Sequence, residues 1–212
     1  MTHTTHTTRI AVATHRLPRP AGLSRFALVA GPVALIAYGG IRLLSERGTP
    51  GIGWTLGHLA MLAGVLLYIP VLGHLHRAVP ESRRRAALIP LVAAGAGLAA
   101  TAVQAAIDLI AGLMSADRPE MVEIFQQVKD VPGVEPVVYG VVPVLFFVGQ
   151  LALVPFLAAP VRTRLFIGLA LLLGTVLMAL SLDFLSLGGL CFLIAFAPLL
   201  MAGRVTPLPR TN

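Results

Sequence analysis

Long apolar segments alternate with short polar stretches along almost the whole chain. A bilayer core of about 30 Å is crossed by about 20 helical residues. The last two segments form one apolar run that, at about 1.5 Å per residue, is too long for a single crossing, so the chain should turn within SLDFLSLGG, residues 181–189. The pattern therefore predicts an all-α polytopic membrane protein, a bundle of six transmembrane helices with crossings near residues 26–43, 52–75, 86–114, 137–159, 165–182 and 185–203.

The composition of the chain also favours lipid surroundings. Hydrophobic residues make up 57% of the 212 residues and charged residues only 12%, whereas roughly a quarter of the residues of a soluble domain are charged. The lipid bilayer is therefore the first partner that we expect. Cys191 stands alone within an apolar run and is interpreted as a small packing residue, so no disulfide is expected. The first apolar segment partly resembles a cleavable signal peptide, but Pro32 and a weak cleavage site favour a retained helix.

The charged residues are distributed unevenly between the two sides of the predicted bundle. The net charge is +7, but the basic residues cluster at the ends of apolar segments and not along an aromatic-studded groove, so we expect no nucleic-acid partner. Six crossings place both termini on one side, which carries twelve of the sixteen basic residues. The positive-inside rule therefore predicts cytoplasmic termini, and we expect a multi-pass protein of a bacterial cell membrane. The other side is acidic, with Glu46, Asp117, Glu120, Glu123, Asp130, Glu135 and Asp183.

The chain divides into one transmembrane domain and two tails. Residues 1–25 are rich in Thr and Pro and lack the apolar content of a folded unit, which predicts a disordered basic cytoplasmic tail. Residues 26–203 should form the six-helix domain, and residues 204–212 a second cytoplasmic tail. The tail histidines His3, His6 and His15 offer at most a weak metal site, and we expect neither a metal nor another cofactor.

The longest loop, residues 115–136, should contain a helix of its own. Asp117 is followed three residues later by Glu120, with Pro119 between them, which is typical of a capped helix start. An apolar stripe follows at helical spacing: Met121, Ile124, Phe125 and Val128. An amphipathic helix over about 117–130 should therefore lie at the outer interface or cap the bundle, as a passive strut or as a moving lid.

Two crossings share a spacing that suggests an internal repeat. The matching positions are Trp54, Gly64 and Pro70 in the second crossing and Tyr139, Gly149 and Pro155 in the fourth. The helix that returns from each crossing carries an acid near its outer end, Asp108 in one case and Asp183 in the other. A duplicated hairpin would favour a transporter. Interfacial aromatics and frequent Gly and Pro are also general features of membrane helices, so both interpretations stay open.

Polar residues near the outer ends of the helices form a candidate pocket. Trp54 and His58 are one turn apart on the second helix, and Gln104 and Asp108 are one turn apart on the third. His58, Asp108 and Asp183 occupy one outer layer, with Gln104 one turn below it. A histidine changes charge near neutral pH, so this layer could bind a small molecule or relay protons. We expect Asp108 near the outer boundary, within reach of water; a helix shifted outward would instead bury it, where it could hold a proton.

Gln150 is the polar residue deepest in an apolar helix, near the middle of the bilayer. A buried amide in a membrane helix needs partners. The first interpretation is a hydrogen bond to another helix, and the second is contact with a ligand of the candidate pocket. Gln150 therefore belongs to the candidate residues together with Trp54, His58, Gln104, Asp108 and Asp183.

The histidines do not form the ligand set of a haem or a zinc ion. His58 and His74 are sixteen residues apart, about 24 Å along a helix, so they cannot bind one iron. No other predicted crossing contains a partner histidine, and His74 and His76 point to nearly opposite faces. A zinc site lacks a third ligand nearby.

The sequence leaves several function classes open and identifies no catalytic residue. The first is a small transporter or membrane binding protein with an outward-facing polar pocket for a small molecule. The second is an intramembrane enzyme that acts on a lipid or isoprenoid, with Asp108 or Asp183 as general acid and His58 as base. The third is an accessory subunit, whose partner is another membrane subunit or a second copy of the chain.

Overall fold

The computed structural model describes residues 17–20 and 22–202, and these are almost entirely helical. Most of both predicted tails, with His3, His6 and His15, lies outside the described residues. The helices are α1 (Gly22–Leu44), α2 (Ile52–Arg77), α3 (Glu81–Arg84), α4 (Leu88–Met114), α5 (Arg118–Lys129), α6 (Val141–Leu153), α7 (Val161–Leu180) and α8 (Leu185–Met201). A π-helical segment (Glu135–Gly140) leads into α6, and 3-10 turns follow α6 (Val154–Phe156) and precede α8 (Leu182–Phe184).

Six helical stretches of the described chain are long and apolar enough to cross a membrane, as in an integral membrane protein: Gly22–Leu44, Ile52–Arg77, Leu88–Met114, Glu135–Phe156, Val161–Leu180 and Leu182–Met201. The predicted all-helical class and the prediction of six helices of membrane-spanning length and hydropathy are therefore confirmed. The chain turns between the last two stretches at Ser181, whose hydroxyl accepts a hydrogen bond from the Asp183 N–H at 3.1 Å. This cap starts a new helix within the long apolar run.

Consecutive helices of the bundle run antiparallel and pack in the order α7, α8, α1, α2, α4 and α6. Glycines permit the closest approaches between them. A Cβ atom on Gly97 or Gly149 would overlap the partner helix of the α4–α6 pair, and Gly174 and Gly188 face each other between α7 and α8. Small residues at helix interfaces are a common means of association in lipid.

Aromatic side chains fill the middle of the bundle. Tyr68 of α2 meets Phe146 of α6 edge-on, with ring centroids 5.0 Å apart. Phe192 and Phe196 of α8 lie 6.4 and 6.2 Å from the Tyr68 ring. Three helices are therefore joined by one aromatic cluster at the level of Tyr68, and all four rings are buried.

The two ends of the bundle differ in charge. One end, here called the acidic end, contains the loops at 45–51, 115–134 and 181–184. The opposite, basic end contains residues 78–87 and 157–160, with the arginines of α3. Which end faces the cytoplasm is a prediction from the sequence alone.

Helix α5 lies at the acidic end, at the position of the predicted amphipathic helix. Asp117 Oδ1 accepts a hydrogen bond from the Glu120 N–H at 3.0 Å, and Glu120 Oε2 accepts one from the Ala116 N–H at 2.7 Å. These two contacts are the capped start that the sequence suggests. Met121 of the apolar stripe is 1% exposed, so α5 packs against the bundle through this face.

Candidate functional site

Trp54, His58 and Asp108 meet between α2 and α4 at the acidic end. The Trp54 indole Nε1–H donates to the backbone oxygen of Asp108 at 2.6 Å. His58 Nδ1 lies 2.8 Å from the backbone oxygen of Trp54, and His58 Nε2 lies 3.6 Å from Asp108 Oδ2. His58 is 5% exposed and Asp108 8% exposed. Two of the candidate residues thus form a buried pair, with a third beside them.

Two aromatic rings pack around His58, and one of them depends on a glycine of α4. The Trp54 indole lies across α4 at Gly112, where a Cβ atom would overlap it, and it therefore reaches the Asp108 carbonyl one turn away. The Tyr38 ring of α1 lies beside Gly57, where a Cβ atom would be in ordinary contact with it, and is 5.5 Å from the His58 ring, edge-on. The rings of Trp54 and Tyr38 thereby enclose the His58 imidazole on two sides.

Tyr139 completes the contacts of the Asp108 carboxylate. Its hydroxyl donates to Asp108 Oδ1 at 3.2 Å, so one carboxylate oxygen faces Tyr139 and the other faces His58. Tyr139 stands in the π-helical segment Glu135–Gly140 that precedes α6. π-Helical turns are uncommon and occur frequently at functional sites.

The His58–Asp108 contact requires one proton more than a neutral imidazole and a carboxylate carry. A backbone carbonyl can only accept, so His58 Nδ1 is the donor to the Trp54 oxygen. Nε2 of a neutral imidazole then presents a lone pair to Asp108 Oδ2, which also presents lone pairs. The contact is attractive only when a proton lies on Nε2 or on the carboxyl group. The pair therefore forms a site for one proton.

An open pocket lies beneath α5 and reaches the Asp108 carboxylate. It encloses about 670 Å³, its open mouth included, and is lined by Trp54, Asp108, Val122, Phe125, Gln126, Lys129 and Tyr139. Phe125 of α5 lies 6.0 Å from Trp54 between ring centroids. Asp108 is thus buried among side chains and lines the wall of this pocket, within reach of whatever enters it.

Asp183 lies apart from the His58–Asp108 pair and binds arginines. Its Oδ2 is 3.0 Å from a terminal nitrogen of Arg47, and its Oδ1 is 3.9 Å from Arg42 Nε. Arg42 and Arg47 line a second pocket, between α1 and α2, whose wall His58 shares. Asp183 is therefore joined to His58 only through Arg42 and the pocket, and not by direct contact.

The two candidate glutamines are not in contact with the pair. Gln104 is half-buried one turn below Asp108 and makes none of the contacts described above. Gln150 is 1% exposed, and within the described chain its Oε1 has no hydrogen-bond partner. The interhelical hydrogen bond expected of Gln150 is therefore missing at this oxygen, and Gln150 does not line the pocket under α5.

The contacts of the matched aromatic residues do not repeat as a duplicated hairpin would. Trp54 and Tyr139, the first positions of the two matching patterns, both contact Asp108. Asp183, the supposed counterpart of Asp108, is paired with Arg42 and Arg47 instead. The two matched aromatic residues therefore contact the same acid, Asp108, whereas Asp183 lies in different surroundings.

Several residues of the site were not recognised as such in the sequence. From the sequence, Tyr139 was noted only as a position of the possible repeat, and Lys129 was not singled out. Lys129 Nζ lies 5.3 Å from the centroid of the Tyr139 ring. The short connection between α5 and α6 could have indicated them. It brings residues near 129 and 139 together at the end of α4.

No protein-family model matches the chain, and comparisons with curated proteins and with solved structures find no similar protein. What the site can do is therefore argued from its geometry. The geometry offers a buried proton site in the wall of an open pocket, at one end of a bundle of membrane-length helices.

Proposed function

We propose that this protein is a small membrane transporter, or a membrane binding protein with the same site, that takes a small molecule into the pocket under α5 and couples its binding to one proton. The observation that carries the proposal is the buried contact between His58 Nε2 and Asp108 Oδ2, at 3.6 Å in the wall of that pocket. A ligand that changes the charge around Asp108 must change the occupancy of the proton, because the two equilibria are linked.

The position of the pocket supports uptake from an aqueous side. Trp54 stands in the first turn of α2, Asp108 stands near the end of α4, and Tyr139 precedes α6. The pocket thus lies at the level of the helix ends and under the polar helix α5. The space in it that water molecules can occupy is about 340 Å³, near the lower end of the range of about 300–1,000 Å³ that holds small ligands in proteins. Under the predicted orientation, this end faces the outside of the cell.

Helix α5 is the element best suited to act as a lid of the pocket. It supplies Val122, Phe125, Gln126 and Lys129 to the lining. The chain leaves α5 through a loop in which Gly133 has a φ of +87°, a conformation that side-chain-bearing residues rarely adopt. A hinge at this loop would open the pocket without moving α4, which carries Asp108.

The proposal is tested with the purified protein in proteoliposomes that contain a pH indicator. A panel of small amines, carboxylates and alcohols is added, and the ligand-induced change of internal pH is recorded. At least one class should move protons across the membrane, or bind with a proton change in nanodiscs. Asp108→Asn should abolish that signal, because an amide cannot share the proton in the same way, and Glu123→Gln, an exposed change on α5, should preserve it. Equal signals from the wild type and Asp108→Asn for every ligand would refute the proposal.

A further inference from the structure

The pocket under α5 already holds a cation that belongs to the chain. Lys129 Nζ lies over the face of Tyr139, 5.3 Å from the ring centroid. A cation within about 6 Å of an aromatic centroid is attracted by the ring. Lys129 is the last residue of α5 and is exposed, so its ammonium group can leave the pocket at little cost. The pocket wall therefore stabilises a positive charge at this place.

The groups around that charge are typical of sites that recognise organic cations. Three aromatic rings line the pocket, those of Trp54, Phe125 and Tyr139, and the Asp108 carboxylate lies among them. Aromatic faces combined with a carboxylate attract ammonium groups that carry apolar substituents. The carboxylate of Asp108 in the pocket wall would repel an anionic ligand. A neutral ligand would gain nothing from the attraction between aromatic rings and a cation.

We propose that the ligand of this pocket is an organic cation with apolar substituents, which displaces the Lys129 ammonium group and takes the place of the proton on the His58–Asp108 pair. This inference rests on the proposed function and adds the ligand class and the direction of the coupling. When the proton is present, the charge of Asp108 is balanced by it. When the proton leaves, the carboxylate is free to balance the cation. One ligand cation enters and one proton leaves, so the combined charge of the His58–Asp108 pair and the ligand is unchanged, while the Lys129 ammonium group moves its charge out into the water.

Other charged and titratable groups surround the His58–Asp108 pair, and the competition between the organic cation and the proton depends on them as well. They face it from α1, the loop after α1, α5 and the π-helical segment: Tyr38, Arg42, Glu46, Arg47, Lys129 and Tyr139. Arg42 Nε lies 3.9 Å from Asp183 Oδ1, and Arg47 binds the other oxygen of the same carboxylate at 3.0 Å. The groups that share the exchanging proton in this proposal are His58 and Asp108, acting as one pair.

The test uses benzyltrimethylammonium, a permanent cation that cannot carry a proton itself, on the full-length protein in nanodiscs. Its uncharged carbon isostere, neopentylbenzene, and the anion phenylacetate are the comparison probes. Binding is read from the fluorescence of Trp54, the single tryptophan of the chain, and proton release from an indicator dye in weak buffer. We expect the cation to bind with release of up to one proton per molecule. Its dissociation constant should rise as the pH falls, by at most about tenfold per pH unit, the limit for one competing proton.

Variants separate the roles of the two charged groups. Asp108→Asn should lose both the binding of the cation and the release of the proton. Lys129→Gln should bind the cation about two- to fivefold more tightly, because the competing cation–π contact is an exposed one. Glu123→Gln, which removes an exposed charge from the same helix outside the pocket lining, should bind as the wild type does.

The possible outcomes distinguish the ligand class from the function. Proton-coupled binding of phenylacetate or neopentylbenzene, with no binding of the cation, would overturn the ligand class and leave the proton-coupled function standing. Cation binding that is equally strong in Asp108→Asn would also overturn it. Absence of a proton change with all three probes and with the panel of amines, carboxylates and alcohols would overturn both proposals.

Discussion

Trp54 stacks on the imidazole of His58, with ring centroids 4.2 Å apart and an angle of 32° between the ring planes. The same indole donates a hydrogen bond to the backbone of Asp108. Because the chain contains one tryptophan, all tryptophan fluorescence comes from a ring beside the His58–Asp108 pair. The protein thereby contains its own probe for the proposed proton site.

A pH titration of Trp54 fluorescence should show a transition that fits one proton. The proton changes the charge of the ring on which the indole stacks, or that of the carboxyl group beside it, so the emission must respond. His58→Gln should remove the transition. His76→Gln is the matched control, because His76 stands on the same helix near the basic end, where its Nε2 lies 3.3 Å from the Arg84 oxygen. A transition that persists in His58→Gln and vanishes in His76→Gln would contradict the assignment.

Removing the Asp108 carboxylate should destabilise the protein more than converting it to an amide. Asp108→Ala leaves the Tyr139 hydroxyl and His58 Nε2 without their buried partner, which should lower the free energy of unfolding by about 1–3 kcal/mol. Asp108→Asn keeps an acceptor for Tyr139 and supplies a donor for His58, so its cost should be smaller. Unfolding in mixed micelles, followed by circular dichroism, measures both. Equal stability of the wild type and Asp108→Ala would show that these contacts contribute nothing.

Asp183 should behave as a surface ion-pair residue and not as part of the proton site. Its side chain is 35% exposed and that of Arg47 56% exposed, and such pairs contribute about 0–1 kcal/mol. Asp183→Asn should therefore change the free energy of unfolding by less than about 1 kcal/mol and preserve the one-proton transition of Trp54. Loss of that transition in Asp183→Asn would mean that Asp183 is coupled to His58 through Arg42 more strongly than the contacts indicate.

The parts of the fold that depend on segment length and local capping could be predicted from the sequence. The six apolar stretches appear where hydropathy places them, and Asp117 caps the start of α5 because the hydrogen bonds to Asp117 and Glu120 are local. The depth of His58 and Asp108 at one end of the bundle also follows from their positions along α2 and α4. These features depend on residues within a few positions of one another.

The contacts of the site depend on how each helix is rotated about its axis, which hydropathy does not determine. Gly112 decides that Trp54 lies across α4, and this is a packing relationship between residues 58 positions apart. Asp183 was grouped with His58 because both stand in the outer layer, but the arginines at the end of α1 lie between them. Gln150 shows the same limit, since its depth was predictable, whereas the lack of a hydrogen-bond partner for its Oε1 within the described chain was not.

The orientation of the bundle can be tested by labelling two engineered cysteines. In a Cys191→Ala background, Glu123→Cys places a thiol on exposed α5 at the acidic end, and Ser82→Cys places one on exposed α3 at the basic end. The excess of arginine at the basic end predicts that this end is cytoplasmic. A membrane-impermeant maleimide should therefore label Glu123→Cys in intact cells and Ser82→Cys only after lysis. The reverse pattern would invert the predicted topology and place the pocket on the cytoplasmic side.

Gly112 should be required for the position of Trp54, because a methyl group there would occupy the space of the indole. Gly112→Ala should displace the ring, break its hydrogen bond to the Asp108 oxygen and shift the emission of Trp54 to longer wavelength. Overpacking of this kind should lower the free energy of unfolding by about 1–3 kcal/mol. Gly95→Ala is the matched control on the same helix, since no neighbouring atom lies within 4 Å of its Cβ position. Gly95→Ala should leave the emission unchanged and stabilise α4 by about 0.5–1 kcal/mol. Identical emission spectra for the two variants would show that Trp54 does not pack on Gly112.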